Sequence, residues 1–283
     1  MLRFAPSPNG PLHKGHALSL LANEAMAKAL DTPMTVRMED IDRSRARPHF
    51  EAAILDDIAW LGVAWQPPMR RQSEHFAAYE DALSRLRDAD LIYPSFATRK
   101  EIAAAKATRW AGRDPDGAPR FAGDEAVIGP EETARRRAED APAAWRLRMD
   151  RALEAVGVQT FTEVDGLGGN PAQVATDPAA WGDVVLARKE VPTSYHLSVV
   201  VDDAAQAITH VVRGADLRPA TAIHRLLQAL LGLAAPAYHH HRLILCANGR
   251  KLSKSSGATS LAATRELQPD PAVMRTQLGY PTL

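Results

Sequence analysis

From Leu2 to Gly62 short β-like runs alternate with longer stretches of helical spacing, and this rhythm restricts the chain more than any other feature. Leu2 to Ala5 reads as a strand that stops at Pro6. Ser7-Pro8-Asn9-Gly10-Pro11 must be a loop, because its prolines carry no amide donor and its glycine is permissive. Leu18, Leu21, Ala22, Ala25, Met26 and Ala29 then recur at the spacing of one helix face. Met34, Val36 and Met38 alternate as a strand does, and Phe50, Ile54, Ile58 and Leu61 mark a second helix closed by Gly62. Strand, helix, strand, helix predicts an α/β fold with a parallel sheet and crossover helices.

The pattern returns late in the chain. Val184-Val185-Leu186, Leu197-Ser198-Val199-Val200-Val201 and Ile208 to Val212 are apolar runs expected as strands, and Thr221 to Leu231 is expected as a helix ended by Gly232. Between the two halves, Thr98 and Glu101 form a capping-box pattern at a helix start. Residues 109–144 are rich in Arg, Asp, Gly, Pro and Ala with weak periodicity, as in a surface insertion, and strand-like alternation resumes at Trp145 to Met149. A length of 283 residues suits roughly two units, or one α/β domain carrying such an insertion.

In open parallel sheets ligands bind beyond the carboxyl ends of the strands. Polar clusters fall at those places: Arg3 to Ser7, then Glu39, Asp40 and Asp42, then Arg213 to Asp216, with His13-Lys14-Gly15-His16 where the first helix begins. Gly15 allows close approach to backbone, a helix N-terminus offers amides to phosphate, and two imidazoles three residues apart can donate to charge building on a phosphoryl group. The same residues also read as a helix cap. Lys251 and Lys254, within Gly249 to Gly257, suit a cationic loop that folds over a polyphosphate, or a solvated surface loop. Neither GxxxxGK[ST] nor a complete GxGxxG is present.

Lys+Arg and Asp+Glu are 34 each, so the net charge is zero and any nucleic-acid contact must be local and shape-directed. The single cysteine, Cys246, excludes an internal disulfide and a cysteine-cluster zinc site. No run approaches the length of a membrane span and no signal segment opens the chain, so a soluble, cytoplasmic protein without membrane contact is expected.

Together the motifs resemble a known family. Arg3-Phe4-Ala5-Pro6-Ser7-Pro8-Asn9-Gly10-Pro11-Leu12-His13-Lys14-Gly15-His16 resembles the opening of class I glutamyl-tRNA synthetases with their HIGH motif. Arg37-Met38-Glu39-Asp40-Ile41-Asp42 resembles their RxEDxD segment, and Lys251-Leu252-Ser253-Lys254-Ser255 their KMSKS loop. Val199 to Ala204, followed by Ile208 to Leu217, is closer to the short paralogues that act on queuosine in tRNA(Asp). The resemblance spans all but about residues 103–144.

It implies a Rossmann catalytic domain split by an insertion, with no anticodon-binding domain: residues 1–92 as the first half, 93–165 as the insertion, 166–240 as the second half, and 241–283 with the KLSKS loop. It further implies a ligase that activates glutamate with ATP, with Mg accompanying the nucleotide, and passes the glutamyl group to queuosine in the anticodon of tRNA(Asp). Arg3, Phe4, Ala5, Pro6 and Ser7 would line the glutamate pocket, Glu39 would hold the α-ammonium, and Tyr195 and Arg213 would bind carboxylate. His13, Gly15 and His16 would face ATP, with Lys254 closing on the phosphates and Lys251 assisting. A monomer is expected. The short paralogues often hold zinc through a Cys-x-Cys, whereas here Ser95 and Ala97 stand there, so no metal site is expected and packing should hold the insertion. His239-His240-His241 lies on a strand where successive side chains diverge, which favours a structural role. Two other readings remain: the catalytic domain of a glutamyl-tRNA synthetase charging a tRNA 3′ end, or a non-catalytic paralogue that binds glutamate or adenylate.

Overall fold

Parallel strands need both faces covered, and the first two strands are buried at every position. The computed structural model describes residues 1–109, 112–166, 169–246, 249, 252 and 259–281. Its strands are β1 (Leu2–Phe4), β2 (Met34–Met38), β3 (Arg70–Arg71), β4 (Ile92–Ser95), β5 (Ala144–Leu147), β6 (Thr160–Glu163), β7 (Ala172–Ala175), β8 (Val185–Ala187), β9 (His210–Gly214) and β10 (Ala237–His241). β1, β2 and β3 pair in parallel, as do β9, β10 and β6, and β7 joins β6 antiparallel. Thr209 N donates to Met1 O at 2.9 Å, which brings β9 beside β1. From this seam the strands run β1-β2-β3 on one side and β9-β10-β6-β7 on the other, so the strand order reverses between β1 and β9. A ligand crevice is expected at such a reversal.

The covering helices follow the spacing read from sequence. Helix Lys14–Ala29 contributes Leu18 and Leu21, and helix Pro48–Trp60 contributes Ile54 and Ile58, to one core with Leu2, Phe4, Val36, Met38 and Val212. Asn23 Nδ2 donates to Val212 O at 3.1 Å and fixes the first helix to β9. Gly232 takes the left-handed conformation (φ 64°) that ends helix Thr221–Leu231. Among the described residues no helix is long and apolar enough to cross a membrane.

One expectation fails and another holds only in part. Leu197 to Val201 is not a strand but the middle of helix Tyr195–Ala205, whose N-cap is Ser194. Leu197, Val199 and Val200 are buried with Leu186, Leu226 and Leu227, so the helix is apolar on several faces and shows no clear period. Val184 to Leu186 does become a strand, but β8 belongs to a separate antiparallel sheet, β4-β5-β8.

The weakly periodic stretch holds short polar helices, Asp124–Ile128 and Pro130–Ala138, beside helix Arg99–Arg109. The Thr98–Glu101 capping box is formed, with Thr98 N donating to Glu101 Oε2 at 2.7 Å and Glu101 N to Thr98 Oγ1 at 3.2 Å. Polar bonds, not apolar packing alone, clasp this region. The Asp124 carboxylate accepts from Phe96 N (2.8 Å), Ala97 N (2.9 Å) and Ser95 Oγ (3.1 Å), and Arg136 bridges Glu101 and Glu132.

Candidate functional site

A cavity of about 700 Å³ opens where β1 and β9 meet the start of helix Lys14–Ala29. Arg3, Phe4, Ala5, Pro6, Ser7, His13, Gly15, His16, Glu39, Tyr195 and Arg213 all line it. Lys251 and Lys254 lie outside the described residues, but Leu252 between them lines the cavity and its amide donates to Ile244 O at 2.8 Å. Of the three acids after β2 only Glu39 lines the wall. Asp40 accepts from Ser73 N at 2.8 Å, and Asp42 pairs with Arg45 at 2.7 Å.

Capping and facing the cavity turn out to be compatible for the two histidines. His13 Nδ1 accepts from Gly15 N and His16 Nδ1 accepts from His13 N, both at 3.1 Å. A nitrogen that accepts carries no proton, so each neutral ring holds its proton on Nε2. The rings sit 3.9 Å apart, centroid to centroid. A side chain at Gly15 would meet His13 Cε1 at 2.9 Å, so glycine here makes room for the capping ring itself.

The buried arginines are of two kinds. Arg3, Arg37, Arg213 and Arg275 are buried. Arg3 Nε and Arg37 Nη2 both donate to Asp203 Oδ1, at 3.0 and 2.8 Å, and Arg275 pairs with Glu24 at 2.7 Å. Arg213 has no carboxylate within ion-pair reach among the described residues. Its donors end on Thr221 Oγ1 (2.7 Å), His224 Nδ1 (3.1 Å), His240 Nε2 (3.3 Å) and Tyr195 Oη (3.5 Å). A buried guanidinium held by neutral acceptors keeps its charge for an incoming anion.

Glu39 lines the same cavity as Arg213. Burial pushes its carboxyl up to about 7, against the pull of Arg37 and Arg3. Arg37 Nη2 lies 3.8 Å away, but that nitrogen already donates to Asp203. A carboxylate so poorly compensated favours a cation in the cavity.

Several residues here were not singled out from sequence, and of the histidine triplet only a structural role was expected. Asp202 and Asp203 at the end of helix Tyr195–Ala205 organise the wall, Asp202 accepting from Arg70, Gln72 and Tyr79. His224 and His240 hold Arg213. His241 lines the cavity, and its Nδ1 lies 2.9 Å from Arg242 O, leaving a buried Nε2 without a partner among the described residues. The histidine triplet thus serves three separate contacts, and no group of three or more His, Cys, Asp or Glu suited to a metal occurs among the described residues. Consecutive acids closing an apolar run are the one sequence signal that marks Asp202 and Asp203.

The chain matches the family model for the catalytic domain of class I tRNA synthetases (E and Q) over residues 1–278. It is 44% identical over 282 residues to a glutamyl-Q tRNA(Asp) synthetase from Rhodobacter capsulatus, covering 98% of this chain and 99% of that one. A glutamyl-Q tRNA(Asp) synthetase from Nocardia farcinica is 38% identical over 99% of this chain and 85% of its own. A crystal structure of a glutamate tRNA ligase from Elizabethkingia meningosepticum, in complex with its amino acid, superposes with a TM-score of 0.69 at 28% identity. That alignment covers 90% of this chain and 52% of the ligase, about half its length.

Proposed function

The chain belongs to the class I tRNA synthetases for glutamate and glutamine through their catalytic domain, and from this premise we propose that it activates glutamate with ATP and transfers the glutamyl group to queuosine in the anticodon of tRNA(Asp). The observation that carries the glutamate reading is that Arg213, buried with no carboxylate in reach among the described residues, and Glu39, a carboxylate poorly compensated by cations, line one cavity. That pair complements the ammonium and one carboxylate of a dicarboxylic amino acid, whose other carboxylate is left to react. Arg213 and Tyr195 receive carboxylate, Glu39 receives the ammonium, and the Arg3 to Ser7 segment closes the pocket. His13 and His16 present Nε2–H groups, with the helix N-terminus, to the phosphates of ATP, which enters with Mg. The glutamate α-carboxylate attacks the α-phosphate in line, the bond to the leaving pyrophosphate breaks, and glutamyl-adenylate remains for attack by the nucleoside hydroxyl. The protein acts as a monomer.

The test is charging of tRNA(Asp) with and without queuosine, beside tRNA(Glu). Glutamylation confined to the queuosine-bearing tRNA is expected, and pyrophosphate exchange should proceed without any tRNA. Glutamylation of tRNA(Glu) instead would establish the 3′-end reading.

The residues at the Ser95–Ala97 turn do not fit zinc. They aim two amides and a hydroxyl, all donors, at the Asp124 carboxylate, which is the wrong polarity for a cation. Metal analysis of the purified protein should therefore find zinc well below one per chain, and one bound zinc per chain would overturn this reading.

A further inference from the structure

Burying an arginine is costly unless its donors are satisfied, and the direct solution is a carboxylate. This chain uses that solution for Arg3, Arg37 and Arg275. At Arg213 the acid stands one imidazole away. Glu163 Oε1 lies 2.8 Å from His240 Nδ1, His240 Nε2 lies 3.3 Å from Arg213 Nε, Arg213 Nη1 lies 3.1 Å from His224 Nδ1, and His224 Nε2 lies 3.3 Å from His196 Nδ1.

One placement of protons satisfies the whole row. A guanidinium only donates, so His240 Nε2 and His224 Nδ1 both accept. The neutral rings then carry protons on His240 Nδ1 and His224 Nε2, which donate to Glu163 and to His196. Thr221 agrees, since its hydroxyl accepts from Arg213 Nη2 at 2.7 Å and can donate to His240 Nε2 at 3.2 Å. Each histidine supplies the geometry of an anchor without its charge.

We propose that Glu163, His240 and His224 are positioning residues for amino-acid binding, fixing the Arg213 guanidinium through neutral spacers so that its positive charge stays available to the substrate carboxylate. This rests on the reading of Arg213 as the carboxylate receptor. Burial, followed by the nearby Arg213 cation, lowers His240 to about 4 and holds His224 well below its ordinary value, so both spacers stay neutral at neutral pH.

Isosteric substitutions separate this role from a merely structural one. In His224→Asn the amide oxygen takes the place of Nδ1 as a neutral acceptor; in His224→Asp the same position brings a carboxylate. A structural anchor tolerates both, and Asp better. Positioning through a neutral spacer requires that Asn keep the glutamate KM within about threefold, while Asp raises it roughly tenfold or more over Asn with the ATP KM unchanged. Melting curves without substrate establish that both variants fold. Should position 224 not tolerate change, Glu163→Leu, which removes the acceptor of His240 Nδ1, is expected to raise the glutamate KM severalfold. Arg218→Ala, which removes the other partner of Glu163 and leaves the Glu163–His240 contact in place, is not. Equal glutamate KM values for the Asn and Asp variants, or for Glu163→Leu and the wild type, overturn the proposal. Arg213→Ala is measured beside them. If it raises the glutamate KM while the Asn and Asp variants match, the spacer role alone fails; if it leaves the KM unchanged, the carboxylate receptor itself is misassigned and the spacer role falls with it.

Discussion

Replacing Glu39 by Gln should give a protein that resists unfolding better at pH 8 and scarcely captures glutamate. The two effects share one cause. Burial raises the Glu39 carboxyl from 4.5 to about 7, so the folded chain holds this proton more tightly than the unfolded chain does. Below the unfolded value both states are protonated and nothing is lost. As pH rises through the window up to about 7 the unfolded state ionises first and stability falls, and above it the full cost is present, about 3 kcal/mol. Gln cannot ionise and escapes that cost. In the substrate complex the ammonium offsets it, and without the carboxylate the ammonium is buried unpaired. We expect kcat/KM for glutamate to fall by about 10²-fold or more in the variant. Wild-type kcat/KM should also drop about tenfold per unit below pH 7, where Glu39 is neutral in the free enzyme, and the variant should lack that limb. Urea titrations at pH 5 and pH 8 with a pH profile of pyrophosphate exchange decide the matter. Equal denaturation midpoints for the two proteins at pH 8, or a wild-type profile flat below 7, would remove the assignment.

How legible the site was in sequence depended on whether its residues are local to one strand end. Arg3 to Ser7, His13 to His16 and Glu39 follow strands or begin a helix, so their place could be read from the alternation of periods. Their partners could not. Arg37, fully buried, depends on Asp203 and Gln206 of a helix that the β-branched run Val199-Val200-Val201 disguised as a strand. With neighbours packed against several faces, that helix has no polar stripe to betray its period, and only the Ser194 cap remained as a signal. The part His224 and His240 play at Arg213 was not legible for a different reason. Their role arises from contacts across 11 and 27 residues of chain to one guanidinium, and a histidine in a helix or strand carries no local mark of such a contact. The insertion was legible at its capping box but not at Asp124, whose three donors lie 27 to 29 residues away.

Lys254→Ala should lower kcat for glutamate-dependent pyrophosphate exchange by about 10²-fold or more while leaving both KM values nearly unchanged. The charge inventory of the described cavity wall is the reason. Arg3, Arg213 and Arg242 bring three positive charges, and Glu39 and Asp216 bring two negative ones. Arg3 is already engaged by Asp203, Arg213 is reserved for a carboxylate, and Arg242 donates to Leu278 O at 3.3 Å. His13 and His16 accept backbone protons on Nδ1 and so face the nucleotide as neutral donors. Neutral donors and a helix N-terminus can orient a triphosphate, but they cannot balance the charge that builds on the departing pyrophosphate. The remaining cations of the motif are Lys251 and Lys254, and Leu252 between them already lines the cavity. A cation required chiefly in the transition state acts on kcat more than on ground-state binding, and Lys251→Ala, in its assisting position, should show the same signature at smaller size. A Lys254→Ala protein that turns over normally would mean that the wall residues neutralise the phosphates alone, and the KLSKS assignment would fall.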